Sequence, residues 1–161
     1  MAYAMFLAAA AGVFIPYGAA AGVVINEIAW MGSLPQAGET ATQAANNEWM
    51  EFANDGGVAV DLTGWRLEAA DGTPSIALAG SIPAGGFFLL ERTDDGSVPG
   101  VTADLIYTGA LSNSGETLVL KGAGGMVVHT IDASGGWPAG DNTTKETMQR
   151  SGGGWITSAP T

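Results

Sequence analysis

Three glutamates, Glu27, Glu48 and Glu51, and one histidine, His129, are the side chains best suited to chemistry in this 161-residue chain. Glycoside hydrolysis needs a pair of carboxylates that flank one bond. Glu48 and Glu51 are three apart in an extended segment, so they point to opposite faces of one strand and cannot do so together. Glu27 with either of them stays geometrically open and defines a small-hydrolase reading. His129 is the only histidine and lies among Val127, Val128 and Ile131. That is the setting of a structural strand residue rather than of a base held between a serine and an acid. The chain contains no Gly-x-Ser-x-Gly elbow and no glycine-rich phosphate loop ending in Lys-Ser or Lys-Thr. With one histidine and no cysteine, zinc lacks its usual ligands. The catalytic set is therefore read as empty.

Calcium takes loop carboxylates, amides and carbonyls, and the chain does offer those. Asp94, Asp95 and Asp104 bracket one loop, and Asp141-Asn142 marks another. Neither follows the EF-hand ligand spacing, so these five are weak calcium candidates whose ordinary role is turn formation. No other cofactor is expected.

The elements that must position these residues are short strands. Val23–Ile28 opens with β-branched residues. Further strand-like pieces are Glu48–Ala53, the segment around Trp65 and Leu67, Ile76–Leu78, Phe87–Leu90, Leu105–Tyr107, Thr117–Leu120 and Met126–Ile131. Turn-forming residues separate them, among them Asn54-Asp55-Gly56-Gly57 and Asp71-Gly72-Thr73-Pro74. This spacing indicates an all-β sandwich or barrel. Trp49 and Trp65 are expected on neighbouring strands as the seed of a core, joined by Phe52, Leu67, Leu89, Leu118, Leu120 and Trp137. Past Asp132 the pattern fades into an irregular segment pinned by Trp137, and Gly152 to Thr161 reads as a cut edge or the start of a linker. The folded domain is accordingly placed at 22–157, with linker from 158 to 161.

The charge is lopsided, with 16 acids against five cations and a formal net of −11. No basic stripe offsets it, which argues against direct nucleic-acid binding. Met1 to Gly22 carries no charged residue and ends in Ala19-Ala20-Ala21, as a secretory signal with cleavage after Ala21 would. A retained membrane anchor is the second reading of this segment and a buried helix the third. The absence of cysteine leaves the redox compartment open.

Taken together, several ordered motifs resemble bacterial lamin-tail domains. They are Val24-Ile25-Asn26-Glu27-Ile28-Ala29-Trp30-Met31-Gly32-Ser33, Asn47-Glu48-Trp49-Met50-Glu51-Phe52, and Asp61-Leu62-Thr63-Gly64-Trp65-Arg66-Leu67. Ile82 to Arg92, Leu111 to Leu118 and Gly136-Trp137-Pro138-Ala139-Gly140-Asp141-Asn142 add to the likeness, which runs from about Val23 to Trp155. The resemblance implies an immunoglobulin-like antiparallel β-sandwich without catalytic residues, here preceded by a signal-like helix. The signal-like start, the sandwich pattern and the absence of a catalytic set give the leading reading: an exported module that serves adhesion, scaffolding or targeting at the bacterial cell surface, secreted or surface-bound, with a protein or cell-surface polymer as partner. The alternative is an accessory domain that targets a larger secreted hydrolase or nuclease to its substrate. In either case the chain is expected to be part of a longer multidomain protein.

Overall fold

Strands form where β-branched and aromatic residues alternate with polar ones, and turns form where glycine, proline, Asn and Asp interrupt them. A computed structural model describes residues 22–158; the expected export signal, 1–21, and residues 159–161 lie outside the described residues. The strands are β1 (Val23–Ala29), β2 (Trp49–Asn54), β3 (Val60–Asp61), β4 (Arg66–Ala69), β5 (Ser75–Ala77), β6 (Ser81–Ile82) and β7 (Phe87–Arg92). They continue as β8 (Leu105–Tyr107), β9 (Thr117–Lys121), β10 (Val127–Asp132), β11 (Thr147–Ser151) and β12 (Gly154–Ser158). One short helix, α1 (Ala41–Ala44), sits in the long β1–β2 connection, where Thr40 and Gln43 close a capping box.

A six-stranded sheet runs in the order β12-β11-β1-β2-β7-β8, a four-stranded sheet in the order β10-β9-β4-β5, and β3 pairs with β6 in a separate ribbon. The pairing departs from the expected antiparallel arrangement at one place. β8 lies parallel to β7, because the dozen residues 93–104 carry the chain back along the sheet before β8 begins. The architecture is an all-β sandwich, consistent with an immunoglobulin-like domain.

Register decides which residues meet between the layers. Met50 opposes Leu90 and Phe52 opposes Phe88, and Ile25 and Ile28 fall on the same face through their pairing with β2. The smaller sheet answers with Leu67, Ile76, Leu118, Leu120 and Ile131, all buried. Phe52 and Phe88 stack with centroids 6.4 Å apart.

The two tryptophans expected together are apart. β2 neighbours β1 and β7, whereas β4 neighbours β5 and β9. Asn54–Gly57 is no hairpin turn; the chain passes through β3 and crosses to the other sheet, so Trp65 and Leu67 build the smaller layer. Trp49 and Leu89 are buried, but register places them on the outer face of the larger sheet beside Glu51 and Glu91. Trp137 is half-buried and stacks on Trp30 at 6.0 Å, its indole N–H donating to Ser112 O at 2.7 Å. Trp137→Phe should keep the packing but lose that bond. We expect a cost of about 1 kcal/mol in urea unfolding.

The segment 135–142 is irregular, as expected, but the stretch from Gly152 that reads as a cut edge or linker start is turn and strand. Thr147–Ser151 and Gly154–Ser158 form a hairpin, and β11 pairs with β1 at Glu27 and Ile28. The boundary expected at 157 therefore falls one residue short of the end of β12. On the other side of the bulge in β1, the Ile25 N–H donates to His129 Nδ1 at 3.2 Å. His129 thus ties β10 of the small sheet to β1 of the large one. Gly115 closes one end of the sandwich: at φ +106° it packs so tightly that a Cβ would meet Ala133 O at 2.0 Å.

Candidate functional site

Alternation along β1, β2 and β7 leaves Glu27, Trp49, Glu51, Leu89 and Phe87 on the outer face of the large sheet. Two loops rise beside this face, one running from Met31 towards α1 and the other comprising residues 93–104. Two cavities here have Trp49 in both walls, the first between the two loops and the second against residues 93–104. The first, about 310 Å³, is lined by Ser33, Gln36, Ser97, Lys145 and Thr147 among others. The second, about 300 Å³, is lined by Glu27, Glu51, Asp104, Phe87, Leu89 and Val101 among others.

Glu27 and Glu51 are cross-strand partners, so the structure brings together one of the two pairings left open above and separates the other. Their hydrogen-bond partners are all neutral. Thr147 Oγ1 and Gln149 Nε2 donate to Glu27, and Asn26 Nδ2 donates to Glu51 at 2.8 Å. Burial pushes both carboxyls above their ordinary value, and the charge of Glu27 adds to the push on Glu51. Thr147 and Gln149 escape a reading of the sequence, because they belong to a hairpin whose pairing with β1 has no local signature.

Three of the acids considered for calcium accept hydrogen bonds from backbone N–H groups. Asp104 accepts from the Leu89 N–H at 2.8 Å and Asp95 from the Ala103 N–H at 2.7 Å. Asp141 accepts from the Thr143 and Thr144 N–H groups, and Asn142 accepts from Lys145 Nζ at 2.6 Å. Burial raises the Glu91 carboxyl, and the nearby Asp95 and Asp94 raise it further. Among the described residues, no group of three or more histidines or acids is placed to hold a metal ion. The wall formed by 93–104 is held by Glu91, fully buried, whose carboxylate accepts the Ser97 and Val98 N–H groups at 2.8 and 3.1 Å. Period-two alternation from Leu89 could have signalled that Glu91 points to this face.

Glu48 faces inward. Its carboxylate takes Arg92 Nη1 at 2.9 Å and the Leu111 N–H at 2.7 Å, yet burial pushes it up to about 7. Glu116, also buried, is pushed up to about 7 by burial and by the nearby acids Asp71 and Glu48. One of its oxygens has no partner, and neither has the buried Tyr107 hydroxyl, whose ionisation burial and these acids suppress. Nothing in the local sequence marks Glu116 or Tyr107; their proximity comes from four separate elements meeting at one end of the sandwich.

A family model for the lamin tail domain matches residues 17–135, well over half of the chain. The chain belongs to the lamin tail domain family. Among curated proteins, none matches. The family match ends before β11, so in this lamin tail domain the hairpin that supplies Thr147 and Gln149 to the outer-face site lies beyond the matched span.

Proposed function

We propose that this lamin tail domain is a non-catalytic, exported binding module that serves adhesion, scaffolding or targeting at the bacterial cell surface. The observation that carries the reading is the disposition of its carboxylates. Glu27 and Glu51 are adjacent on one strand floor, and both are tied by hydrogen bonds from Thr147, Gln149 and Asn26 rather than standing free to pass a proton. Glu48, 4% exposed, is sealed between the layers. His129 is engaged at the seam between the sheets. The uncharged start of the chain, ending in three alanines, supports the export part of the reading.

Expression of the full chain with a C-terminal tag tests both parts. The expected product is recovered outside the cytoplasm with Gly22 as its first residue and turns over no ester, glycoside or nucleic acid. Retention in the cytoplasm at full mass would defeat the export part. Turnover lost in Glu27→Gln would defeat the non-catalytic part.

A further inference from the structure

The geometry points to the outer-face groove as a docking site for a basic polypeptide segment, with a lysine or arginine head seated over Glu27 and Glu51 and its stem against Trp49, Phe87 and Val101. This names the partner class for the binding role proposed above and rests on that role.

Two observations support it independently of one another. The first is charge without compensation. Two carboxylates in register across adjacent strands repel, and only neutral groups bond to them. The chain's five cationic side chains are all engaged elsewhere. Arg66 and Lys121 bind Glu68, Arg92 binds Glu48, and Arg150 binds Asp55. Lys145 is held by Met31 O and Asn142. A cation for this pair must come from a partner.

The second is the shape and lining of the space. Beside the acids, the cavity of about 300 Å³ is walled by Trp49, Phe87, Leu89, Val98 and Val101. Phe87 and Val101 are 57% and 51% exposed. A bare metal ion has no use for such walls, and a sugar leaves the paired charge uncompensated. A lysine or arginine matches both parts, because its methylenes cover apolar surface while its head meets the acids. Aromatic faces beside a cation add further attraction.

The test is calorimetric titration of the purified full chain at low ionic strength with a lysine-and-serine peptide, against a glutamate-and-serine control. Wild type should bind the basic peptide and not the acidic one. Glu27→Gln/Glu51→Gln should weaken binding about tenfold, and Val101→Ser should weaken it by removing apolar cover from the stem of the bound cation. Asp61→Asn/Asp132→Asn removes the same charge far from the groove and should change affinity less than about twofold, by loss of long-range attraction alone. Equal losses in the two double variants would mean diffuse attraction to an acidic surface and would overturn the proposal. So would wild-type binding of calcium, a saccharide or a second copy that is lost in Glu27→Gln/Glu51→Gln while the peptide fails to bind. Melting curves establish folding, and removal of the repelling pair should leave the double variant at least as stable as wild type. A failure here leaves the localisation and turnover results of the preceding section untouched.

Discussion

Asn54→Ala should lower the unfolding free energy by roughly 3 kcal/mol, and Asn54→Asp should be at least as damaging although it keeps the same shape. Asn54 is 1% exposed. Its amide nitrogen donates to Val58 O at 2.8 Å, Ile82 O at 3.1 Å and Pro83 O at 3.0 Å, and its amide oxygen accepts from the Gly56 N–H at 3.0 Å. One side chain therefore fastens the end of β2 to its own turn and to the turn after β6. Truncation removes all four bonds; Pro83 O keeps the Gly86 N–H, but the Gly56 N–H loses its acceptor and the Val58 and Ile82 carbonyls lose a donor, and each buried group left unpaired costs about 1–3 kcal/mol. The carboxylate introduced by Asn54→Asp would present only acceptors to three carbonyl oxygens, adding repulsion to the loss. Urea unfolding with a parallel melting curve reads the effect, which should appear as a fall of about 10 °C. If Asn54→Asp matched wild type, the hub would be absent.

Asn54 also illustrates what could be read from the chain and what could not. As the first residue of Asn-Asp-Gly-Gly it announces a turn, and a turn is there. Its other partners stand 28 and 29 positions away, and no local pattern encodes them. The same distinction runs through the fold. Period-two alternation and turn chemistry suffice to find β1, β2, β7 and β9, because those signals are local. They do not say which sheet receives a strand, so Trp49 and Trp65, expected side by side, stand in different layers. Gly152 to Thr161 reads as a cut edge or the start of a linker. In the fold Gly152 and Gly153, at φ +56° and +90°, make the turn of a hairpin that exists because β1 offers an edge to pair with. At the site, Glu27 is visible in the sequence as a candidate, but its neighbours Thr147 and Gln149 are not. Asp95 and Asp104 are visible as oxygen ligands, but what they ligate is the protein's own backbone.

Stability should fall, not rise, as pH increases from about 5 to about 8, because the strongest titrations inside this domain belong to buried acids. Glu48 and Glu116 are each pushed from 4.5 up to about 7. An acid whose folded value lies above its unfolded one binds its proton more tightly when folded. The stabilisation is complete below about 4.5 and is lost as pH climbs through about 7. A shift of that size corresponds to at most about 3 kcal/mol for one group, and the two sites interact, so their joint effect is less than the sum. Glu27, Glu51 and Glu91 are raised as well and act in the same direction. His129 opposes them. Burial, and then Arg150, hold its value below the ordinary one; protonation therefore favours the unfolded chain and costs stability as pH falls below about 6.5. One histidine against five raised acids leaves the net slope downward with rising pH. Glu116→Gln isolates one of the two largest contributors, since the amide mimics the protonated acid beside Asp71 and cannot ionise. That variant should match wild type near pH 5, exceed it by about 2 kcal/mol near pH 8, and show a flatter profile between. A wild-type profile that rises across this window, or a Glu116→Gln profile parallel to wild type, would mean that Glu116 stays charged in the fold and that its unpartnered oxygen is satisfied by solvent.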